Sequence, residues 1–190
     1  GSSERCNRMT RLPLHRVCRR ATALVLMLLQ ATGANAQAPL TETQAKASAL
    51  FNFARYVEWP DRAFGSRESP FVFCLAGRES LAGGGPGLEN RTLQGRTTQV
   101  RRVLGTEELR GCHVLFVGEG EERRLAPMLR AVAADAVLTV GDLGGFTDSG
   151  GAIGIVLEDG RIRFDINRTA LDQAQLRASS NLLRLARNAR

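Results

Sequence analysis

Helical spacing of apolar residues dominates the stretch that begins at Thr41. Thr41-Glu-Thr-Gln44 has the spacing of a capping box, in which the Thr hydroxyl and the Gln side chain each satisfy a backbone amide of the first turn. The apolar residues behind it recur at helical intervals and share one face: Ala45, Ala49, Leu50, Phe53, Tyr56 and Val57. A helix does not continue through Pro60, so we expect this one to end at Trp59.

Apolar runs of strand length follow this predicted helix, and turn-forming residues separate them. Four of them are nearly continuous or alternate with polar residues: residues 70–76, 96–104, 112–117 and 136–140. A glycine-rich break at 83–87 lies between the first two and leaves room for one short helix, at 79–82 or at 88–93.

A β-hairpin is the clearest local pattern in the chain. Residues 152–158 and 161–166 both have strand character, and the two-residue turn Asp159-Gly160 joins them. The core side of the second strand is assigned by alternation to its three apolar residues: Ile162, Phe164 and Ile166.

Helical patterns lie between and after the strands. Residues 119–134 have acids at the start and one apolar face, and Asn167 has the side chain of an N-cap for a later helix. Residues 181–190 are typical of a basic amphipathic helix, which we expect to dock on its own domain; a membrane surface is the alternative. The alternation predicts an α/β fold with a mixed, mainly parallel sheet, helices on both faces and an antiparallel C-terminal hairpin.

The first 36 residues differ from the rest of the chain. Six arginines precede an uncharged apolar stretch, 21–29, and small residues lead to Ala36, an order typical of a cleaved secretory signal peptide. A transmembrane anchor is the alternative, but the strongly apolar part is far shorter than the roughly 20 residues a span needs. We expect cleavage after Ala36 and one exported domain over residues 37–190.

Removing that segment changes the charge balance. The whole chain has 26 basic and 19 acidic side chains and a net charge of +7. The first 36 residues contain 6 of the basic and 1 of the acidic side chains, which leaves 20 and 18 in the exported domain. A nearly neutral domain gives a nucleic-acid partner little support.

Cys74 and Cys112 are the two cysteines of the exported domain. One pair in an exported domain suggests a disulfide, with two separate buried thiols as the alternative. Two cysteines and one nearby histidine fall short of the four ligands of a structural metal site. We therefore predict no metal.

Residues suited to catalysis do not form a recognisable set. His113 is the one histidine of the exported domain, and neighbours on a strand point to opposite faces, so it cannot activate Cys112. The acidic pairs lie where helix starts and turns favour acids, although a pair assembled by the fold stays open. We predict no catalytic residues, no cofactor and no enzyme activity.

The segment GDLGGFTDSGG, Gly141 to Gly151, has five glycines in eleven residues. It lacks the Lys and Ser/Thr of a phosphate-binding loop, and it leads into a strand, where no helix N-terminus would hold an anion. A cradle of backbone amides is the alternative. We predict a strand-to-hairpin connection in which Asp142 and Asp148 form turns.

Several stretches together resemble the YfiR-like family of periplasmic proteins. They span nearly all of the exported domain: FNFARYVEWP, FVFCLAG, CHVLFVG, VLTVGDLGGFTDSGGAIGIV, RIRFDIN and LRASSNLLRLARNAR. The C-terminal block from Gly141 to Arg187 is the more specific half of this resemblance.

The resemblance implies a regulator without catalytic activity. Family members are periplasmic, have an α/β sandwich fold and form homodimers. The best-known one represses an inner-membrane diguanylate cyclase, YfiN, and an outer-membrane lipoprotein, YfiB, sequesters it, which raises cyclic di-GMP and favours biofilm. The pair Cys74 and Cys112 matches the family's structural disulfide. Some members have a second cysteine pair in the C-terminal half, where this chain has glycines such as Gly145 and Gly151.

Partner residues do not transfer from the family. An aromatic beside arginines is typical of interface anchors, so we predict a contact surface at the corner after the first helix, formed by Arg55, Trp59, Pro60 and Arg62. A buried Trp59 with solvated arginines is the alternative. The rival function is a small-ligand receptor that binds a nucleotide or an amino acid in an α/β cleft.

Overall fold

The computed structural model describes residues 41–77, 81, 85 and 87–190. The predicted signal peptide, 1–36, lies outside these described residues. Within these described residues there are four helices: α1 (Glu42–Arg55), α2 (Leu125–Val132), α3 (Arg168–Gln173) and α4 (Ser180–Leu185). Two 3-10 turns cover Asp61–Ala63 and Thr106–Leu109.

Ten strands are described, and eight of them form one sheet. In chain order they are β1 (Val57–Glu58), β2 (Phe71–Ala76), β3 (Thr92–Leu93), β4 (Arg96–Arg102), β5 (Val114–Val117), β6 (Leu138–Gly141), β7 (Ile153–Glu158), β8 (Arg161–Ile166), β9 (Arg177–Ala178) and β10 (Asn188–Ala189). The large sheet has the order β10-β8-β7-β6-β5-β2-β4-β3, and β1 and β9 pair separately. Only the β7–β8 and β3–β4 pairs of the large sheet are antiparallel.

Helices cover both faces of the large sheet, as the alternation predicted. Phe71 and Phe73 of β2 point to the face that carries α1, α3 and α4, and Leu50 of α1 packs there. Cys74 of β2 points to the opposite face, where it meets Met128 of α2. The strands in the middle of the sheet are therefore buried on both sides, which explains their continuous apolar runs.

The local signals at caps and turns are confirmed. The Thr41 hydroxyl accepts from the Gln44 amide at 3.2 Å, and the Gln44 side chain accepts from the Thr41 amide at 3.0 Å. Asn167 caps α3 by accepting from the Ala170 amide at 3.1 Å. Asp159 and Gly160 both have positive φ and join β7 to β8, as a tight hairpin turn requires.

The end of the first helix differs from the prediction. α1 ends at Arg55, and Val57 enters β1, where it pairs with Ala178 of β9. The amide of Ser179 also donates to the Tyr56 carbonyl at 2.8 Å. Pairing with a strand about 120 residues later stops the helix before Pro60 does, and a helical pattern does not show such a partner.

Two other predicted helices are shorter in the structure. The stretch 119–134 forms a helix only from Leu125, because Gly120 has a φ of 90° and begins a turn that continues to Arg124. The stretch 181–190 is helical only to Leu185, and its last residues form β10 beside β8. The C-terminal end therefore docks on its own domain, as expected, but through strand pairing.

One hairpin was not predicted from the sequence. Residues 88–93 form turns and β3, not a helix, and β3 pairs with β4 across Gln94 and Gly95. Both turn residues have positive φ, at 50° and 76°. Leu81 is described as part of a turn, whereas residues 79, 80 and 82 of the other predicted short helix lie outside the described part of the chain.

Candidate functional site

The corner after α1 places Trp59 at the boundary between core and solvent. Its indole N–H donates to the Ala136 carbonyl at 3.0 Å, and its ring meets Phe71 edge to face with 4.9 Å between centroids. The side chain is half-buried by these contacts. We use the name corner surface for Arg55, Trp59, Pro60 and Arg62.

An open groove of about 540 Å³ lies against the corner surface. Its lining comes from the residues around β1 and from α3 and the loop to β9: Glu58, Trp59, Pro60, Asp172, Gln175, Leu176 and Arg177. The Arg62 guanidinium donates to the Gln175 side-chain oxygen from two nitrogens, at 3.0 and 2.7 Å. Arg55 is exposed at the end of α1, with its guanidinium 5.7 Å from the Tyr56 ring, and does not line the groove.

His113 lies behind the corner surface, and both of its ring nitrogens are engaged. Nδ1 accepts from the Val72 amide at 3.0 Å, and Nε2 lies 3.1 Å from the Ala63 carbonyl. The ring stacks on Phe64 with 4.4 Å between centroids. Burial lowers the pKa of His113 below its ordinary value of 6.5; the bond to Ala63 opposes this shift and the charge of Arg96 adds to it. A single histidine in an apolar run is the feature of the sequence that could have indicated a buried ring, but it does not indicate these partners.

The Cys74–Cys112 disulfide joins β2 to the residue pair before β5. The two Cα atoms are 5.7 Å apart, and both residues are buried. Arg101 of β4 places one guanidinium nitrogen 3.5 Å from the Cys74 sulfur and 3.4 Å from the Cys112 sulfur. Since Cys112 is bonded to Cys74 and His113 turns toward Phe64, no thiol and imidazole meet here.

The glycine-rich segment is shaped by Phe146. A Cβ atom on Gly141 would lie 2.4 Å from the Phe146 ring, and one on Gly151 would lie 2.1 Å from it. The ring is 1% exposed, so it has little room to move away. Glycine at these two positions therefore leaves room for the buried Phe146 ring, so the role of both glycines is in packing.

Asp148 lies within the turn at 144–150 and Asp142 just before it, and the side chains of both also form long-range ion pairs. Asp142 binds the Lys46 ammonium of α1 at 2.6 Å, and Asp148 binds Arg190 at 2.8 Å. Burial tends to lower the pKa of Lys46, but the bonds from Asp142 and Glu42 outweigh burial and raise it. Lys46 is thereby fixed as a cation.

A polar cleft of about 270 Å³ surrounds the Lys46–Asp142 pair at the carboxyl ends of β5 and β6. The chain passes from β2 outward to β4 and then returns to the other side of β2 to form β5. Open α/β sheets bind ligands in the crevice that such a reversal creates. One carboxylate oxygen of Asp142, Oδ1, is buried there without a hydrogen-bond partner among the described residues. The sequence reasoning missed Lys46, because only the fold brings α1 to the glycine-rich segment.

Within residues 41–77, 81, 85 and 87–190, no helix has the length and apolar character needed to cross a bilayer. The same described residues contain no group of three or more His, Cys, Asp or Glu side chains placed to hold a metal ion.

Comparison with known proteins places this fold in a family. None of the curated protein sequences matches the chain significantly. A crystal structure of a conserved domain protein from Vibrio cholerae O1 biovar El Tor str. N16961 superposes with a TM-score of 0.51 at 8% identity. The match covers 80% of this chain and 61% of the Vibrio chain, so it supports the fold alone. The family model described as YfiR/HmsC-like matches residues 43–187, and the chain therefore belongs to the YfiR/HmsC-like family.

Proposed function

We propose that this protein is an exported regulator that binds the periplasmic region of an inner-membrane diguanylate cyclase of the YfiN type and holds it inactive. The observation that carries the proposal is the family match over residues 43–187. The family is periplasmic, regulatory and non-catalytic, and it acts through partners. Repression would lower cyclic di-GMP and biofilm formation, and the chain itself would have no enzyme activity.

The remaining parts of the proposal concern processing and assembly. Residues 1–36 would be removed as a signal peptide, which leaves a single domain over 37–190 in the periplasm. That domain would form homodimers, and an outer-membrane lipoprotein of the YfiB type would sequester it and release the cyclase.

The corner surface is the partner-binding site we propose. Its groove has an apolar floor from Trp59, Pro60 and Leu176 and a charged rim, which is the usual anatomy of a protein interface. The charged lining residues have both signs, with Glu58, Asp172 and Arg177. Arg62 is already held by Gln175. A side chain held in place before binding loses less conformational entropy when the partner arrives.

Deleting the gene tests the proposed function. Cellular cyclic di-GMP should rise in the deletion strain when the cognate cyclase is present and stay at the parental level when the cyclase gene is also deleted. Equal levels in all four strains would reject repression of a cyclase by this protein.

Arg62→Ala tests the partner site. The variant should weaken binding to the purified periplasmic region of the cyclase by at least about tenfold, which corresponds to roughly 1.4 kcal/mol. Arg163→Ala is the matched control, because Arg163 is exposed on β8, outside the groove lining. Titration calorimetry should give the control a wild-type dissociation constant; equal weakening by both variants would reject the corner surface as the site.

A small-ligand receptor is the second candidate function, and the cleft around Lys46 and Asp142 favours it. Among the described lining residues, three acids face one lysine: Glu42, Glu119, Asp142 and Lys46. This excess of negative charge favours the ammonium group of an amino acid over the phosphates of a nucleotide.

Thermal-shift titrations with amino acids and with nucleotides test the receptor function. One compound should raise the melting temperature saturably, and Asp142→Asn should weaken that response more than Asp135→Asn, whose exposed side chain lies outside the cleft lining. A flat response to both classes of compound would reject the receptor.

A further inference from the structure

His113 connects the corner surface to the middle of the sheet. The ring belongs to the residue just before β5, yet it contacts Ala63 and Phe64, which follow the corner surface in the chain. We propose that His113 is an acid-sensitive latch: protonation of its ring releases residues 60–64 and thereby weakens the corner surface. The latch itself depends only on the geometry of the ring; its role in partner binding rests on the proposed function.

The two hydrogen bonds of the ring define one neutral tautomer. The Val72 amide is a donor, so Nδ1 must present a lone pair to it. The Ala63 oxygen is an acceptor, so Nε2 must carry the hydrogen. A proton added to Nδ1 would point at the Val72 N–H across 3.0 Å, and that contact would change from a hydrogen bond into a repulsion between two donors.

The surroundings of the ring offer no compensation for a positive charge. His113 is only 6% exposed. The elements packed against it present the Ala63 carbonyl and the Phe64 ring from the corner, the Val72 amide and the Phe71 ring from β2, and the charge of Arg96 from β4. Among the described residues no carboxylate hydrogen-bonds to the ring, so a protonated ring would be a buried cation near a second cation.

Arg96 contacts the same aromatic cluster and also binds the segment that follows it, residues 66–69. Its guanidinium lies 3.8 Å from the Phe64 ring centroid and donates to the carbonyls of Ser66, Arg67 and Ser69. These bonds favour a position of Arg96 near the ring after His113 gains a proton. Movement of the imidazole away from Arg96 would relieve the repulsion.

Movement of the His113 ring out of its site would affect residues 60–64 first. Residues 60–64 contain the 3-10 turn Asp61–Ala63, which has no buried residue of its own. Residues 60–64 are held by the His113 bond to Ala63 and stacking on Phe64, by the Arg62 bonds to Gln175 and by Arg96 over the Phe64 ring. Loss of the His113 ring removes the first of these attachments. Trp59 would keep its bond to Ala136, so acid would loosen the Pro60 and Arg62 side of the groove while the other side stays.

The sign of the pH dependence follows from the direction of the pKa shift. The pKa of His113 in the folded protein lies below the ordinary 6.5, because burial disfavours the charged ring. Stability from the neutral ring is fully present above that ordinary value and is lost as the pH falls from it to the lowered pKa.

Trp59 makes the latch directly measurable, since it is the only tryptophan of the chain and belongs to the corner surface. We expect its emission to shift to longer wavelength as the pH falls from 6.5 through the lowered pKa of His113, with about tenfold faster hydrogen exchange at residues 60–64 after correction for intrinsic rates. Far-UV circular dichroism should stay constant over the same range, which separates release of the corner from global unfolding.

His113→Asn is the matched variant, because its amide oxygen lies near the position of Nδ1 and accepts from Val72 without titrating. Its Trp59 emission should be independent of pH over the same range. Should the variant not fold, the imidazole resonances of wild-type protein lacking residues 1–36 give the pKa of His113 alone, since His15 is the only other histidine. A pKa at or above 6.5, or a wild-type emission that does not change with pH, would overturn the latch.

These measurements use no partner, so the latch and the proposed function fail separately. A pH-dependent emission in a protein that binds no cyclase would reject the partner function and support the latch. A pH-independent emission together with tight cyclase binding would reject the latch alone.

Discussion

Phe146 explains at the residue scale why the glycine-rich segment has its composition. The ring fills the volume in which side chains at Gly141 and Gly151 would otherwise lie. Gly144, by contrast, has open space at the position of a Cβ atom. Packing against Phe146 thus explains the glycines at 141 and 151 but not the one at 144. A high density of glycines does not by itself indicate a phosphate site.

Gly151→Ala should be strongly destabilising. The new methyl group would overlap the buried Phe146 ring, and overpacking of this kind costs about 1–3 kcal/mol. Urea unfolding should show a lower midpoint for this variant. Gly144→Ala is the control and should unfold like the wild type; equal losses in the two variants would contradict the role of Phe146.

At the element scale, β10 shows how charge organises the C-terminal end. Arg187 places its guanidinium on Asp165 at 2.6 Å and also binds Glu158, which connects the end of the chain to both strands of the hairpin. The hydrogen bond from Arg187 lowers the pKa of Asp165, burial opposes the shift, and Asn188 adds to it. The last residues of the stretch predicted as a basic amphipathic helix therefore form an edge strand beside acids.

Asp165→Asn should make the stability of the protein less dependent on acid. The folded pKa of Asp165 lies below its ordinary 3.8, so its contribution is present above that value and is lost as the pH falls through the folded pKa. The difference in unfolding midpoint between wild type and variant should shrink as the pH drops below about 4. Asp135→Asn, at an exposed aspartate, is the control; a difference that stays constant with pH would contradict the ion pair.

At the scale of the whole molecule, the disulfide connects parts of the sheet that are distant in the chain. The bonded cysteines are 38 residues apart, and the loop between them contains β3 and β4. Closing a loop of that length restricts the unfolded chain by about 4 kcal/mol in the chain-entropy model.

Replacing both cysteines by alanine should lower the free energy of unfolding by about 2–4 kcal/mol. Reduction of the exported wild type should add the mass of two hydrogens and lower the denaturation midpoint, whereas the reductant should not affect the double variant. Alkylation of both thiols in the unreduced exported protein would contradict the disulfide.

Local structure was predictable where all the interacting groups lie within a few residues of one another in the chain. The Thr41 capping box, the Asn167 cap and the Asp159-Gly160 turn are all satisfied by residues within a few positions. Strands in the middle of the sheet were found because burial on both faces requires a continuous apolar run. The layered α/β fold followed from the alternation of these elements.

The errors at the end of the first helix and at the C-terminal stretch share one physical cause, which is competition from a distant partner. Val57 continues the helical pattern of α1, but pairing with Ala178 gives its backbone other hydrogen bonds. Asn188 likewise leaves a helical pattern to pair with Asp165. The side-chain pattern of one segment gives no information about a distant segment whose backbone will pair with it.

The same division holds for function. The amino-acid sequence by itself determined the α/β class, the predicted export signal, the two cysteines and the family resemblance, because each depends on residue types and their spacing. Only the tertiary structure placed Trp59 and Gln175, the partner of Arg62, at one groove and Lys46 against Asp142. It also placed His113 between the Val72 amide and the Ala63 carbonyl, since contacts between residues far apart in the chain form only when the sheet does.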